Sequence, residues 1–246
     1  METRYQGLEK WSVMTRVKIC CIASIAEAWA AIRCGASAVG LVSAMPSGPG
    51  VISEETIANI AAAIPPGIGS FLLTSRQDVD GIVAQQRRCG TNTLQLVDRL
   101  EPGAHAELRQ RLPGIAIVQV IHVVGEESLA EAEAVAPDVD GILLDSGNPA
   151  AAVKELGGTG RTHNWAVSRR IVELVPVPVF LAGGLNPGNV AEAVRQVEPF
   201  AVDVCSGVRT DGLLDEEKVA GFIGQVRESE TMNRGQIETR SVSRWH

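Results

Sequence analysis

The sequence predicts one closed (β/α)8 barrel, the TIM-barrel class, folded as a single domain. Three observations carry that expectation. Eight short β-branched runs recur along the 246 residues, and helix-like amphipathic stretches lie between them. Strands that alternate with helices build parallel βαβ units, and runs apolar at nearly every position are buried on both faces. The runs begin at Val17, Ala38, Gly69, Thr93, Ala116, Gly141, Pro178 and Ala201, with spacings between 21 residues (Val17 to Ala38) and 37 (Gly141 to Pro178). Eight units at that pitch favour a closed barrel. An open dinucleotide-binding sheet would have fewer strands, or G-x-G-x-x-G after the first, where this chain reads CIASIA.

Taken in order, RVKICCI is the first strand and AVGLVS the second. Ser53, followed by Glu54 and Glu55, marks the next helix start: a side-chain cap and an acidic first turn. GSFLLT, TLQLVD, AIVQVIHV and GILLDS supply strands three to six. VPVFLAG is the seventh, and Asn186-Pro187 after it puts proline at a first helical position. AVDVCS is the eighth. Trp29 and Trp165 fall on helical segments, as packing residues between helices and sheet, while Arg87, Arg88, Arg109 and Arg111 read as solvated helix faces. Residues 1–16 read as an N-terminal extension, with Met14 a candidate natural start, and residues 17–227 as the barrel. Residues 228–246 lack apolar periodicity and read as a polar, flexible tail.

Composition excludes several function classes. A hydrophobic content of 45% suits one sizeable core, and 4% aromatics suits small-residue packing of helices on a sheet. The net charge of −7, with no basic stripe, argues against nucleic acid as a partner. No apolar run reaches the ~18 residues of a membrane span. The opening METRYQGLEKW lacks a signal-peptide core, so a soluble cytoplasmic protein is expected. Five cysteines are scattered, none in C-x-x-C, and the four histidines do not cluster. Neither a metal site nor a structural disulfide is expected from that pattern, and no cofactor is implied. A homodimer is compatible with the chain, but nothing in the outer helix faces distinguishes it.

In such a barrel, reactive groups sit at the C-terminal strand ends. ELGGTGRT follows strand six, LAGGLNPGNV strand seven and CSGVRTDG strand eight. Glycines let backbone N–H groups approach an anion, so three such loops side by side point to a phosphate. Asp145 ends strand six, where a carboxylate could act as a general acid or serve as a cap or ion-pair partner. Strand alternation groups Lys18 with Cys20, and Val17 and Ile19 with Cys21. Cys20 facing the lumen would have Lys18 beneath it to favour a thiolate, and Cys21 would face the helix layer as a small hydrophobe. A lone strand cysteine is ordinarily core packing, so the resemblance has to decide.

VKIC in strand one, LLDS in strand six, GGTG with NW downstream, LAGGLNPGNV and PFAVDVCSGV occur in order over residues 16–226. Together they resemble the phosphoribosylanthranilate isomerase family. That resemblance implies a metal-free, cofactor-free barrel of tryptophan biosynthesis. Its members convert N-(5-phosphoribosyl)anthranilate to 1-(2-carboxyphenylamino)-1-deoxyribulose 5-phosphate by an Amadori rearrangement. It further implies Cys20 as general base and Asp145 as general acid. Gly158, Thr159, Gly160, Gly183, Gly184, Ser206 and Gly207 would cradle the phosphate.

The chain departs from the family pattern in three places. CCIAS stands where the family has CGIT, so Cys21 replaces a glycine. MPSGPGVIS, residues 45–53, replaces a basic run after strand two, and no Lys, Arg or His occurs between Arg33 and Arg76. QLVD replaces QLHG at strand four. An anthranilate carboxylate would therefore need another partner, with Arg76, Arg99, Arg209 and His122 at other strand ends as candidates. Two alternatives follow: a paralogue isomerising a different (amino)sugar phosphate, or a non-catalytic barrel that binds a phosphorylated ligand.

Overall fold

The computed structural model describes residues 14–147 and 162–242. Eight parallel strands, β1 (Arg16–Ile19), β2 (Ala38–Val42), β3 (Gly69–Thr74), β4 (Thr93–Leu96), β5 (Ala116–His122), β6 (Gly141–Asp145), β7 (Val179–Leu181) and β8 (Ala201–Val204), close in sequence order. β1 pairs with both β2 and β8, so the barrel has no free edge. The interleaved helices are α1 (Ile25–Cys34), α2 (Glu54–Ala63), α3 (Val79–Cys89), α4 (Ala104–Arg111), α5 (Glu127–Val135), α6 (Trp165–Leu174), α7 (Val190–Val197) and α8 (Glu216–Val242). Among the described residues, no helix is long and apolar enough to cross a membrane.

Local chemistry explains where the helices begin and end. Ser24, Ser53 and Asp78 cap α1, α2 and α3, each accepting from a backbone N–H three residues on. Gly35 and Gly90 end α1 and α3 in the left-handed conformation. The start of α7 differs from the reading of Asn186-Pro187. Asn186 Oδ1 accepts from Gly188 N at 2.8 Å in an Asx turn, and the helix begins three residues later, at Val190. Trp165 packs on the core as expected, whereas Trp29 is 39% exposed, on the solvent side of α1. The polar segment from residue 228 is helical as far as Val242, since Glu, Arg, Gln and Met suit a helix even without an apolar face.

Strand alternation divides the interior into two layers. Ile19, Leu41, Leu72, Leu94, Ile142 and Val202 point outward and, under the helices, are 0% exposed. The lumen holds Phe71, Val118, Leu143, Phe180 and Ala201 instead. Phe71, Phe180 and Phe200 meet edge to face at 5.6 Å centroid separations and plug the N-terminal end. The ligand space is left at the C-terminal end.

Candidate active site

Lys18 and Asp203 are register partners on the neighbouring strands β1 and β8, side by side in the lumen. Lys18 is 0% exposed, and its Nζ donates to Asp203 Oδ1 at 2.9 Å while lying 5.2 Å from the Phe71 ring centre. Burial alone would lower the lysine pKa, but Asp203 and then Cys20 outweigh it and leave it raised. Burial also raises the Asp203 carboxyl, with Lys18 opposing. Cys20 sits just above this pair, as alternation predicts. Gly40 on β2 makes the room: a Cβ there would lie 2.7 Å from Cys20 Sγ and 3.0 Å from Lys18 Nζ. Sequence reading passed over Gly40, although a lone glycine inside an apolar strand signals close approach.

The Cys20 thiol is not the resting thiolate that its lysine neighbour suggests. Burial pushes it up to about 11, and the Lys18 charge compensates only in part. In the substrate-free protein, alkylation of Cys20 by iodoacetamide therefore accelerates about tenfold per pH unit from about pH 8 to pH 10, following the thiolate fraction. Mass spectrometry of the Cys20 peptide measures this, and a pH-independent rate would refute the burial argument.

Asp145 closes β6 beside His122 of β5. Its Oδ1 accepts from Ser146 N at 2.7 Å, which fixes the carboxyl group at the mouth. His163 bonds Ser168 Oγ at 2.8 Å, and burial pushes its imidazole down to about 4 against the pull of Asp145. A neutral ring therefore stands beside Asp145.

Cys20, Asp145, Gly183, Gly184 and Ser206 all line one cleft of about 710 Å³, open mouth included. Gly183 and Gly184 have φ of +83° and +62°, which admits glycine in both places. Asn189 holds their loop, its Nδ2 donating to Gly184 O at 3.0 Å and its Oδ1 accepting from Asn186 N at 2.8 Å. Gly207 packs its Cα against the backbone of Leu185 and Asn186, locking the β8 turn to the β7 loop. Gly158, Thr159 and Gly160 lie outside the described residues.

Cys21 departs from its expected place. β1 ends at Ile19 and Cys21 adopts φ +62°, so alternation does not extend to it. It lines the cleft and is disulfide-bonded to Cys205, 184 residues away, with Cα atoms 5.8 Å apart. The scattered spacing that argued against a disulfide says nothing about strands one and eight, which barrel closure makes neighbours. A left-handed φ is a conformation that glycine adopts more readily than cysteine.

The wall facing the glycine turns comes from the β2–α2 loop: Met45, Ser47, Gly48 and Pro49. Among the described residues, no Lys, Arg or His lines the cleft. Arg209 pairs with Glu27 at 3.2 Å, Arg99 pairs with Glu131, and Arg76 is exposed. His122 donates from Nε2 to Val97 O at 3.1 Å. None of the four candidate carboxylate partners lines the cleft. Gln95 of β4 does, and among the described residues its buried Oε1 has no hydrogen-bond partner.

The fold and this cleft define a (β/α)8-barrel protein with a carboxyl group, a thiol and two glycine turns around one cleft at its C-terminal face. Residues 17–225 match the family described as N-(5'phosphoribosyl)anthranilate (PRA) isomerase. The chain belongs to that family. An N-(5'-phosphoribosyl)anthranilate isomerase of Haloferax volcanii is 38% identical over 216 residues, 87% of this chain and 94% of its own length. Its counterpart from Halobacterium salinarum strain R1 is 39% identical over 214 residues, 86% and 95% of the two chains. The phosphoribosyl anthranilate isomerase structure from Thermotoga maritima superposes with a TM-score of 0.76 at 29% identity, covering 87% of this chain and all of that one (100%). A phosphoribosyl anthranilate isomerase in complex with reduced 1-(o-carboxyphenylamino)-1-deoxyribulose 5-phosphate superposes with a TM-score of 0.73 at 27% identity, with the same coverage.

Proposed function

We propose that this protein isomerises N-(5'-phosphoribosyl)anthranilate to 1-(2-carboxyphenylamino)-1-deoxyribulose 5-phosphate in tryptophan biosynthesis, in the cytoplasm, with Cys20 as base and Asp145 as acid. The observation that carries this reading is the meeting of both groups with the β7 and β8 glycine turns in one cleft of a family member. Asp145 gives its proton to the furanose ring oxygen, and the ring opens to a cationic Schiff base at C1. That positive charge, formed close to Cys20, favours the thiolate, and the thiol proton passes to the newly formed Asp145 carboxylate. The thiolate takes the C2 proton, and the resulting enolamine tautomerises to the ketone. Each turnover returns Cys20 to a thiol and Asp145 to a carboxylic acid, the state in which both began. Gly183, Gly184, Ser206 and Gly207 hold the phosphate, joined by Gly158, Thr159 and Gly160. Gln95 Oε1 accepts from a substrate hydroxyl or N–H.

The barrel of residues 17–227 carries all these groups, and segments 1–16 and 228–246 contribute none. A homodimer fits this reading, since the Thermotoga maritima relative is described as dimeric. Loss of the anthranilate fluorescence of freshly made phosphoribosylanthranilate on mixing tests the assignment directly, and rescue of a tryptophan auxotroph tests it in the cell. Among the described residues the cleft has no cationic side chain, which favours one second reading, an (amino)sugar phosphate without an aromatic carboxylate. Turnover of such a sugar but not of phosphoribosylanthranilate would establish it. Phosphate-ligand binding with no turnover of either would establish the non-catalytic barrel.

Gly207 gives a test of the phosphate turn. A Cβ at residue 207 would run into Leu185 O and come within 2.9 Å of Asn186 Cα, both of them backbone atoms that cannot rotate aside. Gly207→Ala therefore raises KM by about tenfold or more and costs about 1–3 kcal/mol of stability. Steady-state kinetics and urea unfolding read the two effects, and an unchanged KM would remove Gly207 from the phosphate site.

A further inference from the structure

We propose that Cys21 and Cys205 form a reversible thiol–disulfide site that sets the geometry of the active-site mouth, bridged for turnover and reduced for rest, in exchange with a small-molecule thiol. The activity part of this proposal rests on the isomerase reading above; the exchange itself does not. The two cysteines stand one residue beyond Cys20 and one residue before Ser206. The bridge therefore ties the base of the reaction to the phosphate turn. Disulfides in a cytoplasmic enzyme are usually transient or redox-sensing.

Both states have partners in the structure. Cys21 Sγ lies 3.7 Å from Pro49 O, an acceptor that a bridged sulfur, having no hydrogen, cannot use and a thiol can. Pro49 and Gly50 belong to the loop that walls the aglycone side, and it is laid closely on Cys21. A Cβ at Gly50 would lie 2.5 Å from Cys21 Cβ. Arg209 Nη2 donates to the Cys21 carbonyl at 2.5 Å, and Glu27 holds that guanidinium in place. The Cys21 backbone is thus fixed from the β8 side, which leaves the side chain to choose between Cys205 and Pro49. Holding an L residue at φ +62° is unfavourable, and glycine would avoid that strain but carry no thiol.

The exchange balances with two equivalents of thiol. A thiolate RS⁻ attacks Sγ of Cys205, the more exposed partner; the S–S bond breaks, and Cys21 leaves as a thiolate that takes up a proton. A second RS⁻ attacks the mixed disulfide, releasing Cys205 as a thiol and RSSR as the oxidised product. Reduction frees Cys21 Sγ to turn to Pro49 O and unties the end of β1, next to Cys20, from the phosphate turn. A misplacement of about 1 Å in positioning groups costs on the order of 10²-fold in rate.

The test equilibrates the full chain in glutathione buffers of graded thiol-to-disulfide ratio. Free thiols are counted after denaturation, with kcat/KM and the Kd for inorganic phosphate measured in the same buffers. Three of the five cysteines are free in the bridged form, Cys20, Cys34 and Cys89, and all five in the reduced form. We expect kcat/KM to fall at least tenfold and phosphate binding to weaken severalfold, in one transition with the thiol count. Cys21→Gly, which suits the left-handed backbone, and Cys205→Ser give values that do not vary with the buffer. Five free thiols in every buffer, a bridge that includes Cys20, or constant rate and affinity across the thiol transition would each overturn the proposal. If phosphoribosylanthranilate is not turned over at all, the isomerase reading fails, while the thiol count and phosphate affinity still decide this one.

Discussion

Asp145→Asn and Cys20→Ala each lower kcat/KM for phosphoribosylanthranilate by roughly 10²–10⁴-fold, because each removes one proton transfer that a positioned group supplies. The loss falls on kcat. The glycine turns at 183–184 and 206–207 are untouched in both variants, so affinity for inorganic phosphate stays near that of the parent protein. Asn in place of Asp145 still offers an oxygen to the Ser146 N–H, which the carboxyl group accepts at 2.7 Å, and the strand end keeps its conformation. Ala in place of Cys20 removes only a sulfur from a position 6% exposed, above the Lys18–Asp203 pair. Both variants should therefore fold, and a lost rate with retained phosphate binding separates chemistry from collapse. Rates within about tenfold of the parent in both would sink the acid–base assignment.

Much of the barrel was legible because strand burial is a local property. The apolar runs place six of the eight strand starts at the observed residue, Ala38, Gly69, Thr93, Ala116, Gly141 and Ala201, and the other two one residue away, at Arg16 and Val179. Parity put Lys18 beneath Cys20 because β1 is regular up to Ile19. It failed one residue past Cys20, where a left-handed φ turns Cys21 into the cleft instead of the helix layer. Backbone torsion at a strand end is set by what packs on it, here the Gly50 loop and Arg209, and both lie far off in sequence. The same holds for the charge state of Cys20. Lys18 was visible as a neighbour, but the depth of burial that pushes the thiol up to about 11 comes from the whole barrel. The cationic partner missing between Arg33 and Arg76 was legible, and the structure sharpens it. The arginines that might have substituted are paired at 27 and 131, or lie exposed outside the cleft.

The Lys18–Asp203 pair is where the reaction's electrostatics and the fold's stability meet, and Lys18→Met exposes both. Removing the lysine leaves Asp203, 7% exposed, without its partner in the lumen. Breaking one side of a buried pair costs about 3–5 kcal/mol, a large share of the ~5–15 kcal/mol that holds a domain together. Burial already raises the Asp203 carboxyl, and loss of the Lys18 charge, which opposes that rise, raises it further. A carboxyl group whose folded pKa lies above its unfolded value contributes stability that is present at acid pH and lost as pH rises through the folded pKa. The deficit of Lys18→Met relative to the parent should therefore be smallest near pH 4 and largest near pH 8, measured by urea unfolding. Adding Asp203→Leu should recover most of the stability, since an apolar pair in place of a buried ion pair is close to neutral. Turnover should stay low in the double variant, because Cys20 has then lost the adjacent charge that offsets part of its burial. A single variant that loses less than about 1 kcal/mol would mean that water reaches Asp203. A double variant with the parent's kcat would mean that the thiol needs no help from the lysine.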